Sequence, residues 1–382
     1  GDNYKDTLAD IAMNFYEKEL SALKRAGRYR ERRICDENVT DMASNDYLGL
    51  AHNREILDAA IAELESLPSH AAKASMLVNG YSRVHQDFER ALCEANGFEA
   101  GVILGSGFNA NIALIETLVR KGDALFMDEK YHASGVLASK LIDGELHYFA
   151  HNDAASLEAL LNESNARRKI IAVEGIYSMD GDLVPREIIE LADSYDALLI
   201  LDEAHSSGVI GEHLTGILDH YRIQLKSKYI KMGTLVKAYG SFGAYILASS
   251  HIVDFLINRG KPIIYATAPS LFDTLLGHYA LRYIRENSAA LKAAISRRQE
   301  IVKEIFGIEV EGLIVPIPVG DNRKVMAVQK ELLQQNVLVG AIRQPTVPSA
   351  IIRLIARLGL DEESFRDKCE RIKRSLDKIS VI

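Results

Sequence analysis

Cysteine is scarce in this chain: Cys35, Cys93 and Cys369 lie far apart, form no Cys-x-x-Cys pair and leave one thiol over in any disulfide scheme. A disulfide framework is thereby disfavoured and a reducing compartment, the cytoplasm, is the expected location. Long apolar runs are also lacking. None approaches the roughly 20 residues of a membrane-spanning helix, and the opening Gly-Asp-Asn-Tyr-Lys has no signal-peptide apolar segment, so no membrane is expected. Gly1 in place of Met reads as a residue left by cloning and is set aside. Basic residues are outnumbered, 45 Lys and Arg against 53 Asp and Glu, for a formal net charge of -8. With no cationic excess to track phosphates, nucleic acid is not an expected partner. No GxxxxGK[ST] loop, internal repeat, low-complexity segment or flexible linker is present.

What is there is 382 residues, 48% hydrophobic and 26% charged, enough for two domains around a large core. Residues 5 to 26 carry apolar side chains at helical spacing and run into a basic cluster from Lys24 to Arg33. Such a cluster is most often a solvated helix end; a substrate anion is the other reading, with Arg30 as the contact. A short strand from Val39 to Ala43 leads into the Asn, Asp and Gly of a turn at 44 to 50. Helices read at 53 to 66 and 83 to 97. From residue 100, strands at 101–104, 123–127, 145–149, 169–174, 197–202, 229–232 and 244–248 alternate with amphipathic segments, the pattern of a mostly parallel sheet with helices on both faces. After Pro269 a long helical stretch, 270 to 304, precedes short strands near 309–316, 337–342 and 351–355. The expected plan is an arm at 1–50, a large α/β domain at 51–269 and a smaller α+β domain at 270–382.

The run Ala197-Leu198-Leu199-Ile200-Leu201 suits a strand buried on both faces, and it ends in Asp202, Glu203 and His205. Ligands of open α/β sheets bind at that edge, so these are candidate site residues; a polar loop capping the next helix is the plain alternative. The letters DEAH also spell a helicase box, which the missing phosphate loop disfavours. Gly105-Ser106-Gly107-Phe108-Asn109-Ala110 follows a strand and opens a helix, where outward N–H groups suit a phosphate. It also matches GxGxxA, with Asp128 about where a ribose-binding acid belongs, so a nicotinamide-dependent oxidoreductase is the rival class. Lys237 argues against it. A lone lysine between a strand and the turn Gly240-Ser241-Phe242-Gly243 suits a covalent bond to an aldehyde cofactor. A helix-end phosphate site, a strand-end Asp, a His three residues on and a later Lys together match the needs of pyridoxal 5′-phosphate.

On these residues the chain resembles the α-oxoamine synthases, the acyl-thioester-dependent branch of the pyridoxal-phosphate transferases with the aspartate-aminotransferase fold. The resemblance rests on SNDYLGL at 44–50, NGYSRVHQDFE at 79–89, SGFNAN at 106–111, DEKYHAS at 128–134, EGIYSMDGD at 174–182, LDEAHSSGVIG at 201–211, TLVKAYGSFGA at 234–244, YATAP at 265–269 and IRQPTVP at 342–348. It implies that Lys237 carries the internal aldimine and that Asp202 pairs with the protonated pyridine nitrogen. His205 would bond the phenolic oxygen with Ser178 close by, and His132 would stack on the ring. Ser106, the Gly107 and Phe108 amides and Thr234 would cradle the phosphate, joined by Thr267 of the other subunit of a homodimer. Asn45 and Arg353 would address the amino-acid carboxylate, with Arg357 expected to be a solvated charge. No metal is implied. Departures are Val236 where the family often has Ser, Ala244 for a glycine, and His70-Ala71-Ala72-Lys73-Ala74-Ser75 for a glycine-rich stretch near the acyl substrate.

The implied reaction is decarboxylative condensation of L-alanine with a pimeloyl thioester, on CoA or a carrier protein, in biotin synthesis. Glycine C-acetyltransferase, 5-aminolaevulinate synthase, serine palmitoyltransferase and a signalling-ketone synthase are alternatives within the family. A non-catalytic partner subunit is an alternative outside it; such a chain is expected to lose the lysine, and Lys237 is present.

Overall fold

The computed structural model describes the backbone of residues 2–380 and the side chains of residues 10–380. By its internal contacts the chain divides into Gly1–Val39 and Thr40–Ile382. In the first unit a helix, Asp2–Arg25, ends in Lys24 and Arg25, cations suited to the negative end of its dipole. The unit closes at Val39, not at 50 as the arm was expected to. The reason lies in the larger unit, where Thr40 and Asp41 pair with Val337 and Leu338, and Met42, Tyr47, Leu48 and Leu50 are buried in the core.

The strands of the larger unit are β1 (Thr40–Asp41), β2 (Ala100–Leu104), β3 (Ala124–Asp128), β4 (Glu145–Phe149), β5 (Lys169–Glu174) and β6 (Leu198–Asp202). They continue with β7 (Tyr229–Thr234), β8 (Ala244–Ala248), β9 (Ile314–Pro318), β10 (Val337–Leu338), β11 (Gly340–Ile342) and β12 (Ile351–Ile355). β2 to β8 form a sheet in the order β2-β8-β7-β6-β5-β3-β4. β7, β6, β5, β3 and β4 are mutually parallel, and β8 runs antiparallel between β2 and β7. Alternation along β5 and β6 sends Ile171, Val173, Leu199 and Leu201 into one apolar cluster and Ile170, Ala172 and Ile200 into another. Both faces are therefore covered, which is why these strands read as unbroken apolar runs. The edge strand β4 is exposed at Glu145 and Tyr148.

Beyond Pro269 the expected single helix is two, Leu271–Glu286 and Ser288–Phe306. They part at Asn287, whose side chain turns back to the Tyr283 carbonyl at 2.9 Å. β11, β12 and β9 form a small antiparallel sheet. Among the described residues no helix is long and apolar enough to cross a membrane.

Glu174, Asp202 and Thr234 end the adjacent strands β5, β6 and β7, so the sheet delivers three polar side chains to one carboxyl edge. Glu203 does not join them. It is 1% exposed, with an oxygen 3.5 Å from the Lys231 ammonium of β7. It also accepts from Ser206 Oγ at 3.2 Å and from the Ile217 N–H, while Lys231 donates to Asn96 Oδ1 at 2.7 Å and to the Thr215 carbonyl. Gly216, at φ +119°, leaves the room this needs, since a Cβ there would lie 2.0 Å from Glu203 Oε1. Removing one partner of a buried pair strands the other charge, so Lys231→Met should cost about 3–5 kcal/mol in urea unfolding. A loss under about 1 kcal/mol would show that the pair does not hold the loop after β6.

Candidate active site

The floor of the site is the start of the helix Gly107–Leu118. Ser106 caps it, its hydroxyl accepting the Asn109 N–H at 3.1 Å. A Cβ on Gly107 would lie 2.7 Å from Thr234 Cγ2, so the end of β7 abuts the helix start and only glycine fits there. Among the described residues the buried Thr234 Oγ1 has no hydrogen-bond partner. An orphaned hydroxyl beside free first-turn N–H groups and the positive end of a helix dipole is suited to an anion. Phe108 is exposed there.

Asp202 is held from two sides. Oδ1 accepts the Ala204 N–H at 3.0 Å, and Oδ2 accepts from Asn111 Nδ2 at 3.3 Å. The Asn111 amide also donates to Ser134 Oγ at 2.8 Å and accepts from the Tyr131 hydroxyl at 2.7 Å. The Ser134 hydroxyl, already an acceptor, donates to His132 Nδ1 at 2.7 Å, and the Ser134 N–H points at the same nitrogen at 3.1 Å. With Nδ1 accepting, a ring proton is placed on Nε2. Burial pushes the Asp202 pKa up, against the Ala204 N–H, Lys237, Asn111 and His132. Asn111, Tyr131 and Ser134 were not singled out from the sequence, although each stands inside a quoted motif.

A second chain of contacts enters from the C-terminal part. Arg353, 8% exposed on β12, donates to the Ser178 carbonyl at 2.8 Å and to Asn45 Oδ1 at 3.2 Å. It also hydrogen-bonds Tyr47, whose hydroxyl lies 2.5 Å from His205 Nδ1. Burial keeps the Tyr47 proton in place and drives the His205 pKa well below its usual value, with Lys237, Arg353 and His132 adding to the effect. Burial likewise lowers the Lys237 pKa; Asp202 and Glu174 oppose it and Arg353 adds to it. Arg357 corrects an expectation. It is 4% exposed, not solvated, and reaches Asp46 Oδ2 at 3.0 Å and the Asp41 carbonyl at 2.7 Å.

Lys237, Asp202, His205, His132, Asn45, Ser178 and Arg353 are thus linked by contacts or mutual electrostatics, while Ser106, Gly107 and Thr234 meet at the helix start. Thr267 is exposed and bridges to Ser75 in its own chain. Arg30 is exposed on the stretch after the helix of the N-terminal unit. Asp128 is fully buried and committed to the N–H groups of Lys130 and Asn152, at 2.8 and 2.9 Å, and to His151, so it is not available to a ribose.

The fold is that of pyridoxal-phosphate-dependent transferases. The family model of aminotransferase class I and II matches residues 37–372. The 8-amino-7-oxononanoate synthase of Helicobacter pylori strain J99 is 40% identical over 364 residues, covering 95% of this chain and 97% of that protein. The 8-amino-7-oxononanoate synthase of Dechloromonas aromatica is 35% identical over 357 residues, 88% of this chain and 92% of that protein. Among solved structures, a Sphingomonas wittichii serine palmitoyltransferase superposes with a TM-score of 0.83 at 23% identity, covering 90% of this chain and 88% of that one. An 8-amino-7-oxononanoate synthase from Francisella tularensis gives 0.73 at 24% identity, with 90% and 99% covered. The chain belongs to the class I and II aminotransferase family, and within it to the α-oxoamine synthases.

His151 supports a pH prediction. It bridges Asp128 at 2.9 Å and Asp182 at 2.6 Å. Burial disfavours its charge, but the hydrogen bonds to both carboxylates outweigh this and raise its pKa to about 9. A folded pKa above the unfolded value contributes stability that is complete below about pH 6.5 and fades as pH rises through 9. The Tm advantage of the parent over His151→Gln should therefore shrink between pH 6.5 and 9 in a calorimetric series. An advantage that is constant across that window would mean that His151 is not charged in the folded protein.

Proposed function

We propose that the chain condenses L-alanine with a pimeloyl thioester, carried on CoA or a carrier protein, to give 8-amino-7-oxononanoate, carbon dioxide and the free thiol, using pyridoxal 5′-phosphate. The observation that carries this reading is the convergence of Lys237, Asp202 and the unpartnered Thr234 hydroxyl on one carboxyl edge of the sheet. The names of the relatives at 40% and 35% identity support the choice of substrates.

The residues fit the cofactor. Thr234 Oγ1 and the Gly107 and Phe108 N–H groups, with Ser106 at the cap, would hold its phosphate. Asp202 would face the ring nitrogen, His205 and Ser178 the phenolic side, His132 the ring face, and Lys237 the aldehyde carbon. When bound, the group supplies an electron sink at the amino acid's Cα. Asn111 and the Ala204 N–H keep the Asp202 carboxylate oriented. Arg353 and Asn45 would grip the substrate carboxylate and so place the Cα bonds. Lys237, its pKa lowered by burial, would be a base for the Cα proton at near-neutral pH.

We further propose a homodimer in the cytoplasm, with Thr267 reaching the partner's phosphate cradle. Leu77, Val78 and Tyr265, near the Ser75–Thr267 bridge, are 51%, 77% and 81% exposed in the single chain. Apolar exposure of this kind suits an isologous interface.

Borohydride reduction of the yellow holoprotein should leave a pyridoxyl group on Lys237 by mass spectrometry. A panel of Gly, Ala and Ser against acetyl, succinyl, palmitoyl and pimeloyl thioesters should release thiol fastest with Ala and pimeloyl. Label on another lysine sinks the site assignment, and a faster pair sinks the substrate assignment.

Arg353→Ala should raise the alanine KM by roughly tenfold to several hundredfold, from the loss of charge-assisted hydrogen bonds worth about 1.5–3 kcal/mol each. The thioester KM should hardly move. Arg357→Ala should instead lower thermal stability, because Asp46 loses its buried partner. If the two phenotypes are exchanged, the carboxylate role passes to Arg357.

A further inference from the structure

One buried carboxyl group has no part in the reaction as drawn above. Asp128, Glu174 and Asp202 end β3, β5 and β6, which are neighbours in the sheet, and are 0%, 2% and 3% exposed. Three anions so placed repel one another in a medium of low dielectric, and the least compensated of them is the one to take up a proton. Asp128 accepts two backbone N–H groups and a His151 ring N–H. Asp202 has the Ala204 N–H, the Asn111 amide and the attraction of Lys237. The Glu174 carboxyl is met by the His132 backbone N–H, and its Oε2 is buried with no partner among the described residues. An anionic oxygen without a donor costs more there than a neutral one.

We propose that Glu174 is a positioning residue of the reaction: a neutral carboxyl group that holds the His132 main chain at the site and leaves the negative charge beside the cofactor to Asp202. The proposal rests on the reading of His132 and Asp202 as cofactor residues.

The groups facing Glu174 are Asp202 from β6, Asp128 from β3, Lys237 from the loop after β7, Tyr131 and His132 from the loop after β3, Tyr177 from the loop after β5, and Tyr47. Burial is the largest influence on its proton affinity and raises it; Asp202 and Asp128 raise it further, and Lys237 and the His132 N–H oppose them without reversing the direction. One end of His132 is thus tied by Glu174 through the backbone, while the ring is tied through Ser134 and Asn111 to Asp202. Ionising Glu174 would place a second anion in register with Asp202 across the strand pair.

The test uses full-length holoprotein and two variants. Glutamine matches a protonated carboxyl in shape and charge, so Glu174→Gln should keep kcat within about threefold and the pH midpoint of the bound cofactor's visible band within about twofold in proton concentration. Glu174→Ala should lower kcat about tenfold or more at unchanged alanine KM, because His132 loses its tether. Infrared difference spectra of parent against Glu174→Gln with ¹³C-labelled glutamate should lose one carboxylic-acid C=O band. This last readout needs neither turnover nor a stable alanine variant. Loss of a carboxylate band instead, a midpoint moved tenfold or more in Glu174→Gln, or parental kcat in Glu174→Ala would overturn the proposal. A parent that binds no pyridoxal phosphate yet shows the acid band would fail the functional reading while leaving Glu174 neutral.

Discussion

The constraint on which the site depends is that a sheet covered on both faces leaves any ionisable group it carries nearly dry, including those it delivers to its carboxyl edge. Four titrating groups at the carboxyl ends of β5, β6 and β7 are pushed toward their uncharged forms, Glu174 and Asp202 upward and His205 and Lys237 downward, each with burial as the largest influence. Charge persists only where a donor or a counter-charge answers it. Two relays supply those answers from opposite sides. One runs Tyr131, Asn111, Ser134 and His132 onto Asp202, and the other runs Arg353 and Tyr47 onto His205. Where Gly107 meets Thr234 a buried hydroxyl has no partner among the described residues, which suits an external anion.

The strands were legible in the sequence because burial on both faces leaves a simple trace, an unbroken apolar run ended by a polar residue. β5 and β8 fall at the expected positions for that reason. Asp202 and Lys237 stood out as candidates because each follows an abrupt change of polarity, whereas Thr234 was named only through the resemblance and Glu174 only as the end of a strand. Glu203 shows the limit. Its letters sit between Asp202 and His205, but its side chain answers Lys231 on the other side of the turn, and no local pattern records which way a loop residue turns.

The relays were illegible because they join residues far apart in the chain. Tyr47 and His205 are 158 positions apart, and Asn111 and Asp202 are 91. Likewise the stretch from 40 to 50 reads as part of an arm until its pairing with β10 is known, because a two-residue strand carries almost no periodicity.

The two arginines near the C-terminal sheet obey the same physics. Spacing alone made Arg353 and Arg357 competitors, and both prove to be buried, so each guanidinium has lost most of its hydration. Arg357 recovers it from a carboxylate, Asp46, and from the Asp41 and Asp46 carbonyls. Among the described residues Arg353 has uncharged acceptors, the Ser178 carbonyl, the Asn45 amide oxygen and the Tyr47 hydroxyl, which satisfy hydrogen bonds without cancelling charge. Burying a cation this way is costly unless an anion completes it. A free amino acid arrives with such an anion at a fixed distance from its Cα. The uncharged surroundings of Arg353 therefore suit it, more than the carboxylate-paired Arg357, to receive an anion such as the proposed amino-acid carboxylate from outside the chain.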